Sequence, residues 1–102
     1  MYVVEILLPV ADNDGGRFPA ELWSELRQEL VDRFGGLTAF TRSPAEGLWD
    51  EGEGPPSRDE IVIFEVMADE LDRGWWRSWR EALERRFRQD EIVVRARESE
   101  RL

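Results

Sequence analysis

The chain contains no cysteine and no histidine, and every one of its 14 basic residues is arginine. Thiolate and imidazole chemistry are thereby excluded. The chain has no cysteine nucleophile, no Ser-His-Asp triad, no structural zinc site of the usual ligands and no ordinary haem ligation. The lack of lysine removes Schiff-base formation and the phosphate-binding lysine of a P-loop. Carboxylates, arginine, the single tyrosine, hydroxyls and backbone amides remain for chemistry.

Long apolar runs are missing too. No stretch approaches the roughly 18 residues that span a bilayer, and Met1-Tyr2-Val3-Val4 opens directly as a strand, without a basic leader or cleavage site. A cytoplasmic location is the resulting expectation. Positive charge is outnumbered, with 23 acidic against 14 basic residues and a formal net charge of -9. Such a field repels phosphate backbones and anionic lipid, which argues against nucleic acid and membrane as partners.

What is present suffices for one core. The 102 residues are 41% hydrophobic and include five Trp and five Phe, a composition that folds rather than stays disordered. A chain of this length supports one domain, taken as residues 1–102.

Tyr2 to Val10 is rich in β-branched residues and interrupted by Pro9, which cannot donate to a ladder, and reads as a first strand. Asp12-Asn13-Asp14-Gly15-Gly16 gathers turn formers, and Pro19 suits the first helical position. Leu22, Leu26, Leu30 and Phe34, joined by Trp23 and Val31, draw an apolar stripe down a helix closed by Gly35-Gly36 as a left-handed cap. Leu37 to Arg42 reads as a second strand. The stretch 43–58 holds Pro44, Gly47, Gly52, Gly54, Pro55 and Pro56, and reads as a long loop or an extended hairpin with a short strand near Trp49 and a mobile tip.

Glu60 to Met67 carries the most continuous apolar run, as expected of a central strand. Asp69 or Asp72 is placed to cap a second helix, whose stripe runs Leu71, Trp75, Trp76, Trp79, Leu83 and Phe87. Its other face alternates in charge: Arg77 with Glu81, Arg80 with Glu84, Glu81 with Arg85 and Glu84 with Arg88 lie four apart, the spacing of solvated ion pairs. Glu91 to Arg97 reads as the last strand, and 98–102 as a polar tail. The order strand, helix, strand, strand, helix, strand implies an α+β sandwich of the βαββαβ, ferredoxin-like type. Right-handed crossovers give an antiparallel sheet in the order 4-1-3-2, with both helices on one face.

Strand alternation then assigns faces. Val4, Ile6, Leu8, Val62, Phe64 and Val66 belong under the helices. Val3, Glu5 and Leu7, with Ile61, Ile63, Glu65 and Met67, belong on the open side, because a carboxylate under the helices would be buried unpaired. The flanking strands add Thr38, Phe40 and Arg42 on one edge and Val93, Arg95 and Arg97 on the other, so each glutamate is expected to meet an arginine from its neighbour. An open face this apolar calls for a cover, either a second copy packed sheet against sheet or a small ligand held in a cleft beside the loop bearing Trp49.

Glu5 and Glu65 admit an acid and base pair, but nearby arginines hold carboxylates ionised, which favours structural ion pairing, and no nucleophile is visible. Asp12 to Gly16 resembles the start of a calcium loop, yet its twelfth position is Trp23 where a bidentate Glu belongs, so a tight turn is expected and no metal site. Trp75, Trp76 and Trp79 follow one helix stripe and read as core, with one of the adjacent pair at its margin. Trp49, in a Gly/Pro-rich segment, is either a loop anchor or a ligand contact.

Phe34-Gly35-Gly36-Leu37-Thr38, Glu46-Gly47-Leu48-Trp49, Phe64-Glu65-Val66-Met67 and Trp75-Trp76 resemble the motifs of a family of uncharacterised small bacterial proteins of about this length. The resemblance implies bacterial origin and this fold. The fold is also similar to that of dimeric α/β-barrel proteins, some of which bind haem or oxidise small aromatics. The histidine ligand of such haem sites is absent from this chain. The function expected is a homodimeric interaction or small-ligand-binding module, without cofactor, working through the open sheet face. The alternative is a small cofactor-independent enzyme, isomerase or monooxygenase-like, using Glu5, Glu65, Arg42, Arg95 and Trp49 around a pocket. Arg97 completes the candidate residues.

Overall fold

The computed structural model describes residues 1–49 and 57–102, with side chains described outside 41–60. Its elements are β1 (Tyr2–Pro9), α1 (Ala20–Phe34), β2 (Thr38–Trp49), β3 (Ser57–Ala68), α2 (Arg73–Arg86) and β4 (Val94–Glu98). The sheet order β2-β3-β1-β4 is the expected 4-1-3-2 read from the other edge. All neighbouring pairs are antiparallel, and the two βαβ units interleave, each crossing over a strand of the other.

Local chemistry explains most element ends. β1 ends with Pro9, the last residue paired with β3. The next residues form a tight turn in which Asp12 Oδ1 accepts from the Asp14 and Gly16 amides at 2.9 and 2.7 Å, with Gly15 at φ 84°. Pro19 caps α1 rather than opening it: at ψ 144° it lies just outside the helix, which begins at Ala20, one residue later than expected. Gly35, at φ 80°, donates to the Val31 carbonyl at 2.7 Å, as a left-handed cap requires. Asp72, one of the two expected caps, begins α2 by accepting from the Trp75 amide at 3.0 Å.

Between the open choices for 43–58 the backbone takes the hairpin. β2 runs on to Trp49 and β3 starts at Ser57, paired to the end, with a register shift between Phe40 and Ala45. Pro44 falls within that shift, where a residue without an amide hydrogen costs no ladder bond. The hairpin tip expected to be mobile, residues 50–56, lies outside the described residues. β4 starts at Val94 instead of Glu91 because Ile92 is drawn into the core, where it is 2% exposed.

One core lies between the helices and the sheet. It joins Val4, Ile6 and Leu8 of β1, and Val62, Phe64 and Val66 of β3, to Leu26 and Leu30 of α1 and Trp76, Trp79 and Leu83 of α2. Phe18 and Phe87 meet edge to face at 4.8 Å, and Trp23 packs on Phe87 at 5.2 Å. Trp76 and Trp79 are buried, whereas Trp75 sits at the margin with Arg33 over its ring at 3.9 Å. Val31, expected on the stripe of α1, is instead exposed, because the stripe at Leu22, Leu26 and Leu30 leaves it on the flank. Among the described residues no helix is long and apolar enough to cross a membrane.

The expected ion-pair face of α2 is reduced to one of its four pairs. Arg80 reaches Glu84 at 3.1 Å. Arg77–Glu81, Glu81–Arg85 and Glu84–Arg88 are not among the ion pairs of the described residues, and in the last of these tertiary partners compete with the i,i+4 one. Arg88 turns to Asp12 at 3.5 Å, and Glu84 also accepts from the Ile92 amide at 2.8 Å. Arg86 ties α2 to α1 through Glu29 and Glu25, at 2.7 and 3.7 Å.

Candidate functional site

The side of the sheet away from the helices is organised by register into rows. Phe40 stands opposite Ile63, and Ile63 opposite Leu7. The Leu7 amide donates to the Val93 carbonyl at 3.0 Å, so an apolar row crosses all four strand positions. Phe40 and Val93 at its two ends are 47% and 42% exposed. One step along the strands lies a polar row, with Thr38 opposite Glu65, Glu65 opposite Glu5 and Glu5 opposite Arg95. Beyond it Met67, 49% exposed, faces Val3, which faces Arg97.

Val3 departs from its expected exposure. It points to the open side, outside the cluster beneath the helices, yet is only 5% exposed. Long neighbours, Met67 on one strand and Arg97 on the other, stand directly across from it and shield it.

The polar row gathers charge around one carboxylate. Arg97 Nη1 donates to Glu5 Oε1 at 2.5 Å, and Arg95 Nε lies 3.5 Å from the same oxygen. The Glu5 side chain is 16% exposed, whereas both arginines are more than half exposed, so the anion sits low on the sheet beneath two solvated guanidinium groups. Like charges directly opposite on a sheet repel, and two arginines on Glu5 offset the Glu65 carboxylate beside it.

At Glu5 the neighbouring strand supplies arginine as expected; for Glu65 the expectation rests on Arg42 of β2, whose side chain lies outside the described residues. Arg95 and Arg97 both converge on Glu5, and the described residues record no arginine on Glu65. The convergence is topological: β4, which carries both arginines, adjoins β1 and so reaches Glu5, whereas Glu65 on β3 neighbours β2, the strand of Arg42. The side chains of Arg42 and Trp49 lie outside the described residues, and with them the proposed cleft beside Trp49.

None of the cavities found among the described residues is lined by Glu5 or Glu65. One of about 570 Å³ lies at the end of α1 between Arg33, Phe34, Met67 and Arg101. Another of about 390 Å³ lies between α2 and β4 beneath Arg73, Arg77 and Arg80. The reading of α2 as a solvated charged face did not foresee the second, because it depends on where the edge strand falls. Tyr2, the single phenol, donates to Glu98 at 3.2 Å at the end of β1 and β4, on the helix side of the sheet and not on the open face. The described part of the open face thus brings together an ion-paired carboxylate, two arginines and an apolar row.

No family model matches the chain, and no curated protein matches it in sequence. Among solved structures it is similar to a phage SAM lyase in complex with S-methyl-5'-thioadenosine, at 15% identity and a TM-score of 0.61, over 95% of this chain and 80% of that one. The same likeness holds to a phage SAM lyase in the apo state, at 12% identity and a TM-score of 0.60, over 94% and 78% of the two chains. At these identities the common property is the fold, matched over nearly all of this chain and about four-fifths of each of those.

Proposed function

We propose that the protein is a homodimeric interaction module whose open sheet face packs against the same face of a second copy. The observation that carries this reading is the row Phe40, Ile63, Leu7 and Val93, exposed at both ends. Monomers seldom leave contiguous apolar patches beyond roughly a few hundred Å² open to water. Charge selects the arrangement. The open face is acidic towards β3 and basic towards β4, so a two-fold axis parallel to the strands brings Arg95 and Arg97 of one copy over the Glu65 side of the other. An axis across the strands would oppose like charges and is disfavoured.

Sedimentation equilibrium tests this directly. The chain of 12.0 kDa is expected to sediment at twice that mass at tens of micromolar, and Phe40→Glu or Met67→Glu to return it to the monomer with its circular dichroism unchanged. A wild-type monomer at that concentration refutes the reading.

A second reading is favoured by the SAM lyase whose structure holds S-methyl-5'-thioadenosine on the same architecture. In it the open face binds a small molecule, and the protein acts as a cofactor-independent enzyme through Glu5, Glu65, Arg42, Arg95 and Trp49. Thermal shift with S-methyl-5'-thioadenosine and with SAM separates the two readings. A ligand-dependent rise in Tm that Glu65→Gln abolishes supports the second, and no rise at millimolar ligand removes it.

A further inference from the structure

We infer that the groove between α2 and β4, on the helix side of the sheet, is a binding site for a small organic anion with an apolar or aromatic body. Arg73, Arg77 and Arg80 recur at the spacing of one helix face and overhang a cavity of about 390 Å³, the size of a small-molecule site. Its floor is apolar, with Leu71, Trp76 and Ala96 among the lining residues. In a chain of net charge -9, three arginines collected over an apolar floor form a local reversal of the overall field.

The arginines are not all consumed by structure. Arg80 is held by Glu84 at 3.1 Å. Among the described residues no carboxylate lies within ion-pair distance of Arg73 or Arg77, although Glu81 follows Arg77 by one turn. Arg95, which also borders the groove, is drawn to Glu5 on the opposite side of the sheet.

The strand edge supplies further donors. The Leu7 amide donates to the Val93 carbonyl, and the Ser99 amide to that of Met1, at 3.0 and 2.9 Å. In the register of β4 on β1, residues 93, 95, 97 and 99 therefore direct their backbone polar groups at β1. Strand alternation turns those of Val94 and Ala96 away from β1, along the open sheet edge that borders the groove, and among the described residues no strand lies beyond. Guanidinium forks and unpaired amides are the donors that recognise a phosphate or carboxylate, and Trp76 with Leu71 offers a surface for the rest of the ligand. A phosphomonoester and a carboxylate share this chemistry.

The test is a titration of uniformly 15N-labelled protein with phenyl phosphate, benzoate and inorganic phosphate, followed by amide and indole shifts. Phenyl phosphate or benzoate is expected to move the Val94 and Ala96 amides and the Trp76 indole, and whichever binds tighter identifies the head group. The double variant Arg73→Gln, Arg77→Gln is expected to weaken binding by at least about tenfold. Arg85→Gln, which removes one positive charge outside the groove, is expected to change it less than twofold, and each single variant Arg73→Gln and Arg77→Gln to change it more. The inference is overturned if the shifts map to the cavity at Arg33 and Arg101 or to the open sheet face, or if Arg85→Gln costs as much as either single variant. Inorganic phosphate binding as tightly as phenyl phosphate, or no saturation by any probe below about 10 mM, overturns it equally.

Discussion

Removing the Glu84 carboxylate should cost far more than removing its charge. Glu84 lies in α2 with its side chain 14% exposed. Its Oε2 accepts from the Ile92 amide at 2.8 Å while Arg80 donates to both carboxylate oxygens at 3.1 and 3.3 Å. Ile92 is 2% exposed. In Glu84→Ala its amide loses its acceptor, and an unsatisfied buried donor costs about 1–3 kcal/mol. The ion pair to Arg80, one-third exposed, adds at most about 1 kcal/mol after solvent screening, and the better helix propensity of alanine returns a few tenths. The expected loss is about 2–3 kcal/mol. In Glu84→Gln the amide oxygen still accepts from Ile92, so only the ion-pair contribution and part of a charge-assisted bond disappear, about 1 kcal/mol. For a chain of this length each kcal/mol shifts Tm by roughly 4–8 °C. Thermal denaturation followed by circular dichroism should thus show Glu84→Ala well below Glu84→Gln. Equal midpoints for the two variants would refute the claim that the Ile92 amide, and not the ion pair, is what Glu84 stabilises.

Two backbone sites should respond in opposite senses. Gly35→Ala forces a side chain into φ 80° and should lose about 1 kcal/mol although a Cβ there meets nothing within 4 Å. Arg88→Gly relieves a non-glycine residue at φ 50° and should gain about 0.5–1 kcal/mol, its exposed contact with Asp12 contributing little; chemical denaturation midpoints check both. On the open face, Glu5→Gln removes two half-solvated ion pairs but also the repulsion with Glu65, so the two contributions largely cancel and the net loss should stay below about 1 kcal/mol. A loss above about 2 kcal/mol by urea titration would mean that Glu5 holds the sheet together rather than equipping its surface.

The fold was legible because each element carries its own local signal. Alternation in β1 and β3, the four-residue stripe of α1 and the caps at Gly35 and Asp72 need only neighbouring residues to be read. The element order together with crossover handedness then leaves one sheet order. Interleaving places β1 and β3 at the centre, which puts Glu5 and Glu65 side by side on the open face, a consequence available from sequence. Where 43–58 would go was not, since Pro44 and the glycines speak for a loop as readily as for a hairpin.

What only the tertiary structure decided is how the long charged side chains spend themselves. Periodicity proposes i,i+4 partners, but a side chain of several rotatable bonds chooses among everything within reach. Arg86 therefore binds α1, Arg88 binds the turn at Asp12, and Glu84 takes the Ile92 amide. Both Arg95 and Arg97 fall on Glu5 because β4 adjoins β1 alone. The groove between α2 and β4 likewise exists only once the edge strand has docked, since the backbone donors of Val94 and Ala96 face outward through the pairing of their neighbours. Strand and helix periods are properties of consecutive residues, whereas ion pairs and cavities belong to residues that the chain brings together from far apart.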